Sequence, residues 1–138
     1  MNYTSIEQSK KLVELGLKPE SVDMCYLQDV VECKGCIPWR YAWYKYPVLI
    51  GDKPEEDIPE PISLPCWSVG SLFELIPENI LIKGEASYKF EFKKNGGGYG
   101  CIYCGPRLVA DSIATIGSTP IEAAYNMVVY LLENKYIQ

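Results

Sequence analysis

Histidine is absent from the 138 residues of the chain. Its side chain has the ordinary pKa nearest neutrality, and it serves as the base in Ser-His-Asp and Cys-His nucleophile systems and as a common metal ligand. The absence excludes those catalytic systems and every histidine-metal site. The sequence therefore argues against an enzyme, and it indicates no catalytic residue and no cofactor.

Long apolar runs are also missing, because no stretch approaches the roughly 20 apolar residues that a membrane-spanning helix needs. The first eight residues are polar and include an acid, so they lack the basic and apolar regions of a secretory signal. We therefore expect a cytoplasmic protein with no membrane partner. In that compartment the six cysteines are expected to be reduced thiols.

Positive charge is scarce, with 13 Lys and Arg against 18 Asp and Glu and a formal net charge of −5. A sequence-independent grip on phosphates needs a cationic surface, so this balance argues against nucleic acid as a partner. Five acids and four prolines lie within residues 51–65, which predicts a surface loop there. The length suits a single domain over residues 1–138.

The first predicted helix has Thr4 as its N-cap, with Glu7 three residues on, which is the spacing of a capping box. The helix should end near Leu15, because Gly16 suits the left-handed position that follows a helix. Its apolar positions, Val13 among them, predict a buried stripe.

Two further helices are indicated by their start signals. Ser68 is the predicted N-cap of a short helix that Pro77 ends. Thr119 is followed by Pro120 and then by Glu122, which places a capping hydroxyl, a proline at the first helical position and an acid in the first turn. The last helix should continue to residues 133–134.

The segments between the second and third helices are predicted to be strands. Residues 87–93 alternate aromatic and charged side chains, and the run of Asn and Gly at 95–98 suits a tight reversal. Further strands are expected over residues 80–83, 99–104 and 108–116. Together these patterns predict an α+β fold, in which a small antiparallel sheet of about four or five strands packs against two or three helices. The long C-terminal helix should cover one face.

An aromatic segment near position 40 is the candidate binding surface. Trp39, Tyr41 and Trp43 lie on one side of a predicted strand. Rings interleaved with cations also occur in single-stranded nucleic-acid platforms, but the net negative charge argues against that interpretation. We expect this segment to pack partly into the core and partly at the surface or a subunit contact, and self-association into a homo-oligomer is left open.

Two CxxC pairs, Cys33 with Cys36 and Cys101 with Cys104, form a candidate metal site. Two such pairs supply the four thiolates of a structural zinc site. The separation of the two pairs far exceeds that of a compact zinc ribbon. The alternative is that the second pair lies in a strand, where positions i and i+3 point to opposite faces and share no metal.

Several segments together resemble a known family. They are residues 2–12 (NYTSIEQSKKL), 14–17 (ELGL), 64–70 (LPCWSVG), 119–127 (TPIEAAYNM) and 131–134 (LLEN). As a set they resemble a family of small uncharacterised proteins encoded by phages, prophages and mobile elements of gut bacteroidete bacteria. The resemblance implies a phage-type origin and brings no activity, cofactor or catalytic residue with it.

The sequence supports two hypotheses of different classes. The first is a non-enzymatic accessory protein that binds a protein partner of host or phage origin. The alternative is a zinc-stabilised module in which Cys33, Cys36, Cys101 and Cys104 hold the fold.

Overall fold

Three helices and eight strands make up a computed structural model of the chain, which describes residues 2–18, 21–31, 40–43, 47–49, 62–82, 86–105 and 113–137. The helices are α1 (Ile6–Glu14), α2 (Val69–Leu75) and α3 (Pro120–Glu133). The strands are β1 (Met24–Val31), β2 (Arg40–Trp43), β3 (Val48–Leu49), β4 (Ile62–Cys66), β5 (Asn79–Ile82), β6 (Ala86–Asn95), β7 (Gly98–Cys104) and β8 (Ile113–Gly117). Among the described residues no helix is long and apolar enough to cross a membrane.

The strands form two antiparallel sheets. In the first sheet β1 pairs with each of β2, β3 and β4. The second sheet has the order β5-β6-β7-β8, with each strand joined to the next along the chain. The predicted α+β class, with a long C-terminal helix on one face of an antiparallel sheet, is confirmed.

The second sheet has an inner face that carries the main core. Alternate residues of a strand point to opposite faces, so Cys101 and Tyr103 of β7 share a face, and both are fully buried. Helix α3 fills the space above them with side chains such as Met127 and Leu131. Helix α2 covers β6 through Phe73, whose ring lies 5.0 Å from that of Phe92. Both helices therefore lie on the inner face.

The start signals of α2 and α3 are confirmed. The Ser68 hydroxyl accepts a hydrogen bond from the backbone N–H of Ser71, and the Thr119 hydroxyl accepts one from the N–H of Glu122. The reversal between β6 and β7 is also confirmed, since Gly96 and Gly97 both have positive φ.

The predicted N-cap of the first helix was wrong by one residue. Ser5 caps α1, in a capping box that it forms with Gln8. Thr4 is fully buried instead, and its hydroxyl is already engaged by the core. The predicted apolar stripe was wrong at Val13, which is 41% exposed, whereas Leu12 is fully buried.

The predicted loop over residues 51–65 was wrong at its last four positions, which belong to β4; residues 50–61 lie outside the described part of the chain. Pro65 pairs with Cys25 of β1 in spite of its missing N–H. An antiparallel strand tolerates a proline where its nitrogen points away from the neighbouring strand. Proline therefore did not exclude a strand here.

Thr4 joins the N-terminal segment to the chain around β4. Its backbone N–H donates to the Trp67 carbonyl at 2.9 Å, and its hydroxyl accepts from the Trp67 N–H at 3.1 Å. The Thr4 and Ser9 hydroxyls lie 2.8 Å apart. The Tyr26 hydroxyl and the Cys66 thiol both donate to the Thr4 carbonyl, at 2.8 and 3.4 Å. These bonds satisfy polar groups that burial would otherwise penalise.

Replacing Thr4 with the isosteric valine should destabilise the protein by about 1–3 kcal/mol, because it leaves the Trp67 N–H and the Ser9 hydroxyl buried without their partner. Chemical denaturation measures the change. Ser9→Ala, alone and combined with Thr4→Val, completes a double-mutant cycle, and the two losses should not add, because the residues share a bond. Additive losses would contradict the network.

Candidate functional site on the outer face of the second sheet

The side chains of the three predicted aromatic residues lie outside the part of the chain that the structure describes. Trp39 lies outside the described residues, and Tyr41 and Trp43 belong to β2, whose backbone pairs with β1 from Gln28 to Val31. A strand at this position agrees with the prediction. The role of the three residues in binding stays a prediction.

The two cysteines of the second CxxC pair lie on opposite faces of β7. Cys101 is fully buried in the core, whereas Cys104 is partly exposed and its thiol lies 3.7 Å from Oε2 of Glu91. Cys33 and Cys36 lie outside the described residues. Within the described residues, no cluster of three or more Cys, Asp or Glu side chains could hold a metal ion. The alternative noted for the second CxxC pair, a strand in which the two thiols diverge, is what the structure has.

The buried thiols are poor nucleophiles. Burial raises the pKa of Cys101 to about 12. Burial also raises the pKa of Cys66 to about 11, although hydrogen bonds from Thr4 and Tyr26 act in the opposite direction. Because the thiolate is the reactive form, both side chains stay protonated and unreactive near neutral pH.

A polar cluster around Asp23 is structural as well. The backbone N–H and the hydroxyl of Ser68 both donate to the Asp23 carboxylate, so the acid supports the N-cap of α2. Burial raises the pKa of Asp23, but the hydrogen bonds from Ser68 outweigh that effect and lower it overall. Nearby, the Trp67 indole donates to the Ser21 hydroxyl at 2.9 Å. These contacts fix the chain between β4 and α2.

The face of the second sheet opposite α2 and α3 is here called the outer face. Its residues alternate with the core residues along each strand. They include Leu81, Lys89, Glu91, Lys93, Gly98, Gly100, Ile102, Cys104, Ala114 and Ile116. Ile116 is 75% exposed and Leu81 is 65% exposed. Leu81 lies on β5 and Ile116 on β8, the two edge strands of the sheet, so each extends the outer face at one of its sides.

A groove of about 250 Å³ runs across the outer face, and it is here called the glycine groove. Gly98 and Gly100 form its floor. Its walls are the apolar side chains of Ile102, Ala114 and Ile116. In the sheet register Gly100 lies between Lys93 of β6 and Ile116 of β8. The groove can therefore take an apolar group with a cation beside it.

Sequence reasoning missed this groove because it treated the run of glycines as a turn. Only Gly96 and Gly97 make the turn, and Gly98 already belongs to β7. The signal was present in the alternation: when Tyr99, Cys101 and Tyr103 face inward, the residues between them must face outward. One of those outward positions is Gly100, and Gly98, before Tyr99, has the same orientation.

Comparison of the chain with protein-family models, with curated proteins and with solved structures finds no match.

Stability should fall as pH rises above about 9, because the unfolded chain then loses thiol protons that the folded chain retains at Cys66 and Cys101. Each such group contributes at most about 1.4 kcal/mol per pH unit in the interval between its unfolded and folded pKa values. Denaturation curves between pH 7 and pH 11 measure this slope.

Cys101→Ala should make the decline with pH shallower, because it removes one of the two thiols that retain their protons on folding. Equal slopes for wild type and Cys101→Ala would show that Cys101 does not retain its proton on folding.

Proposed function

We propose that this chain is a non-enzymatic protein-binding module, a phage-type accessory protein that works in the cytoplasm. The single observation that carries the binding role is the outer face, where the glycine groove lies beside Ile116, a large apolar side chain that is 75% exposed. The phage-type origin is supported only by the sequence resemblance at the two ends and the middle of the chain. The aromatic segment of Trp39, Tyr41 and Trp43 is retained as a second predicted contact.

The non-enzymatic part of the proposal is supported by the absence of histidine and by the raised pKa values of two buried thiols. The chain has no histidine to act as a base. Burial raises the pKa values of the Cys66 and Cys101 thiols, which makes them poor nucleophiles. A partner-binding surface needs neither a base nor a nucleophile.

The outer face of the sheet is a better place for a partner than its edge strand β8. At β8, Asn126 of α3 donates its side-chain amide to the Ile116 carbonyl at 3.0 Å, and Thr115 donates its hydroxyl to the Ala123 carbonyl at 3.2 Å. Helix α3 therefore occupies one backbone carbonyl of β8, which weakens that strand as a template for strand addition. Contact through side chains on the outer face is favoured instead.

A photo-crosslinking amino acid at Ala114, which is exposed on the outer face, should give a discrete adduct with another protein in lysogenic host cells after prophage induction. The same amino acid at Glu133, which is exposed at the end of α3, is the matched control and should give no such adduct. Gel mobility and mass spectrometry identify the adduct.

Three outcomes would overturn the proposal: adducts only with nucleic acid, adducts only with a second copy of the chain, or equal adducts from Ala114 and Glu133. The first would point to nucleic-acid binding. The second would make the outer face a self-association surface. The third would show that the outer face has no special affinity for proteins.

A further inference from the structure

Gly100 has no structural reason to be a glycine. It lies within β7, paired with Lys93 on one side and Ile116 on the other, and it is not among the residues with positive φ. A Cβ atom added to it would lie 3.9 Å from its nearest neighbours, which are atoms of Ile102 and Thr115. A glycine inside a strand lowers stability, so a larger residue would fit and would strengthen the strand.

Several of the other described glycines do have internal reasons, although Gly70 in α2, like Gly100, has none. A Cβ at Gly117 would come within 2.5 Å of the Ala123 nitrogen, and one at Gly105 would come within 2.7 Å of the Tyr88 ring. Gly96 and Gly97 need positive φ for the turn. Gly100 has neither constraint, and an open strand position beside exposed apolar groups marks a place where another backbone or side chain approaches closely.

The charge beside the groove is opposite in sign to that of the whole chain. On the outer face β6 carries Lys89 and Lys93 against Glu91, and Lys94 lies at the hairpin end above the Tyr99 ring. Lys93 forms an ion pair with Glu91 at 3.2 Å. Because Lys94 pairs with the inward-facing Tyr99, the described outer face of β6 carries two cations and one acid, whereas the chain has a net charge of −5. This local excess complements an acidic ligand and repels a basic one.

We propose that the glycine groove binds an extended acidic segment of a partner protein, in which one aliphatic side chain packs over Gly100 and flanking carboxylates lie toward Lys89 and Lys93. The walls Ile102, Ala114 and Ile116 supply the apolar contact, and the lysines of β6 fix the charge of the ligand. This inference rests on the proposed protein-binding function and adds the chemistry of the partner.

The direct test titrates the full ¹⁵N-labelled chain with three blocked heptapeptides. The first has a central leucine flanked by three acids on each side, the second has lysine in place of every acid, and the third has glycine in place of the leucine. The first should bind at least about 10-fold more tightly than either control. Its amide shifts should be concentrated at residues 98–102 and 113–117, and added salt should weaken it.

Two variants separate the groove from general stability. Gly100→Val fills the floor of the groove, so it should raise the unfolding temperature and weaken binding of the acidic leucine peptide by about 10-fold or more. Gly70→Ala is the matched control, since a Cβ there would meet only the Ser68 hydroxyl, at 3.9 Å, and α2 lies on the opposite face of the sheet from the groove. It should raise stability and leave peptide binding unchanged. Gly100→Ala serves where the valine variant fails to fold.

Equal binding of the acidic and basic peptides, no shifts at the groove, or unchanged binding by the Gly100 variants would each overturn the inference. This failure is distinct from that of the proposed function. Crosslinking from Ala114 to a partner protein without binding of the acidic peptide would contradict only the inference that the ligand is acidic. Peptide binding without any crosslinked partner removes the cellular function and leaves the acidic-peptide site in place.

Discussion

Packing of helix α3 against one face of the second sheet is the contact on which the rest of the structure depends. It buries Cys101 and Tyr103 below Met127 and Leu131, and it divides each strand into an inward and an outward set. Apolar contact on this scale is the dominant favourable contribution to folding a domain of this size. The inner face holds the fold together, which leaves the composition of the outer face free to serve contact with a partner.

Polar contacts at Thr4 join the smaller, first sheet to this core. Thr4 forms hydrogen bonds with both the backbone N–H and the backbone carbonyl of Trp67, and the Tyr26 hydroxyl donates to the Thr4 carbonyl. Trp67 is itself fully buried in the main core. The N-terminal segment therefore connects the two sheets through Trp67, and its Tyr3 and Ile6 also pack against the small cluster of Tyr26, Leu64 and Cys66.

Local signals in the sequence predicted most of the second sheet and its helices, because capping and alternation act over a few residues, as at Thr119. The failures have long-range causes. The sequence pattern predicts an N-cap at Thr4 because only the fold reveals that its hydroxyl binds Trp67. It predicts a loop at Pro65 because only the pairing with β1 makes that residue part of a strand. The groove at Gly100 required knowledge of three neighbouring strands, which no local pattern contains.

The outer face at Gly100 is open to solvent, whereas the inner face is closed by α2 and α3. Relaxation of NMR signals by a soluble gadolinium chelate measures that difference directly, residue by residue, on the full chain. We expect strong relaxation of the protons of Gly98, Gly100 and Ile116, and weak relaxation of those of Cys101 and Tyr103. Equal protection of Gly100 and Tyr103 would show that the protein itself covers the outer face, and it would contradict an open groove at Gly100.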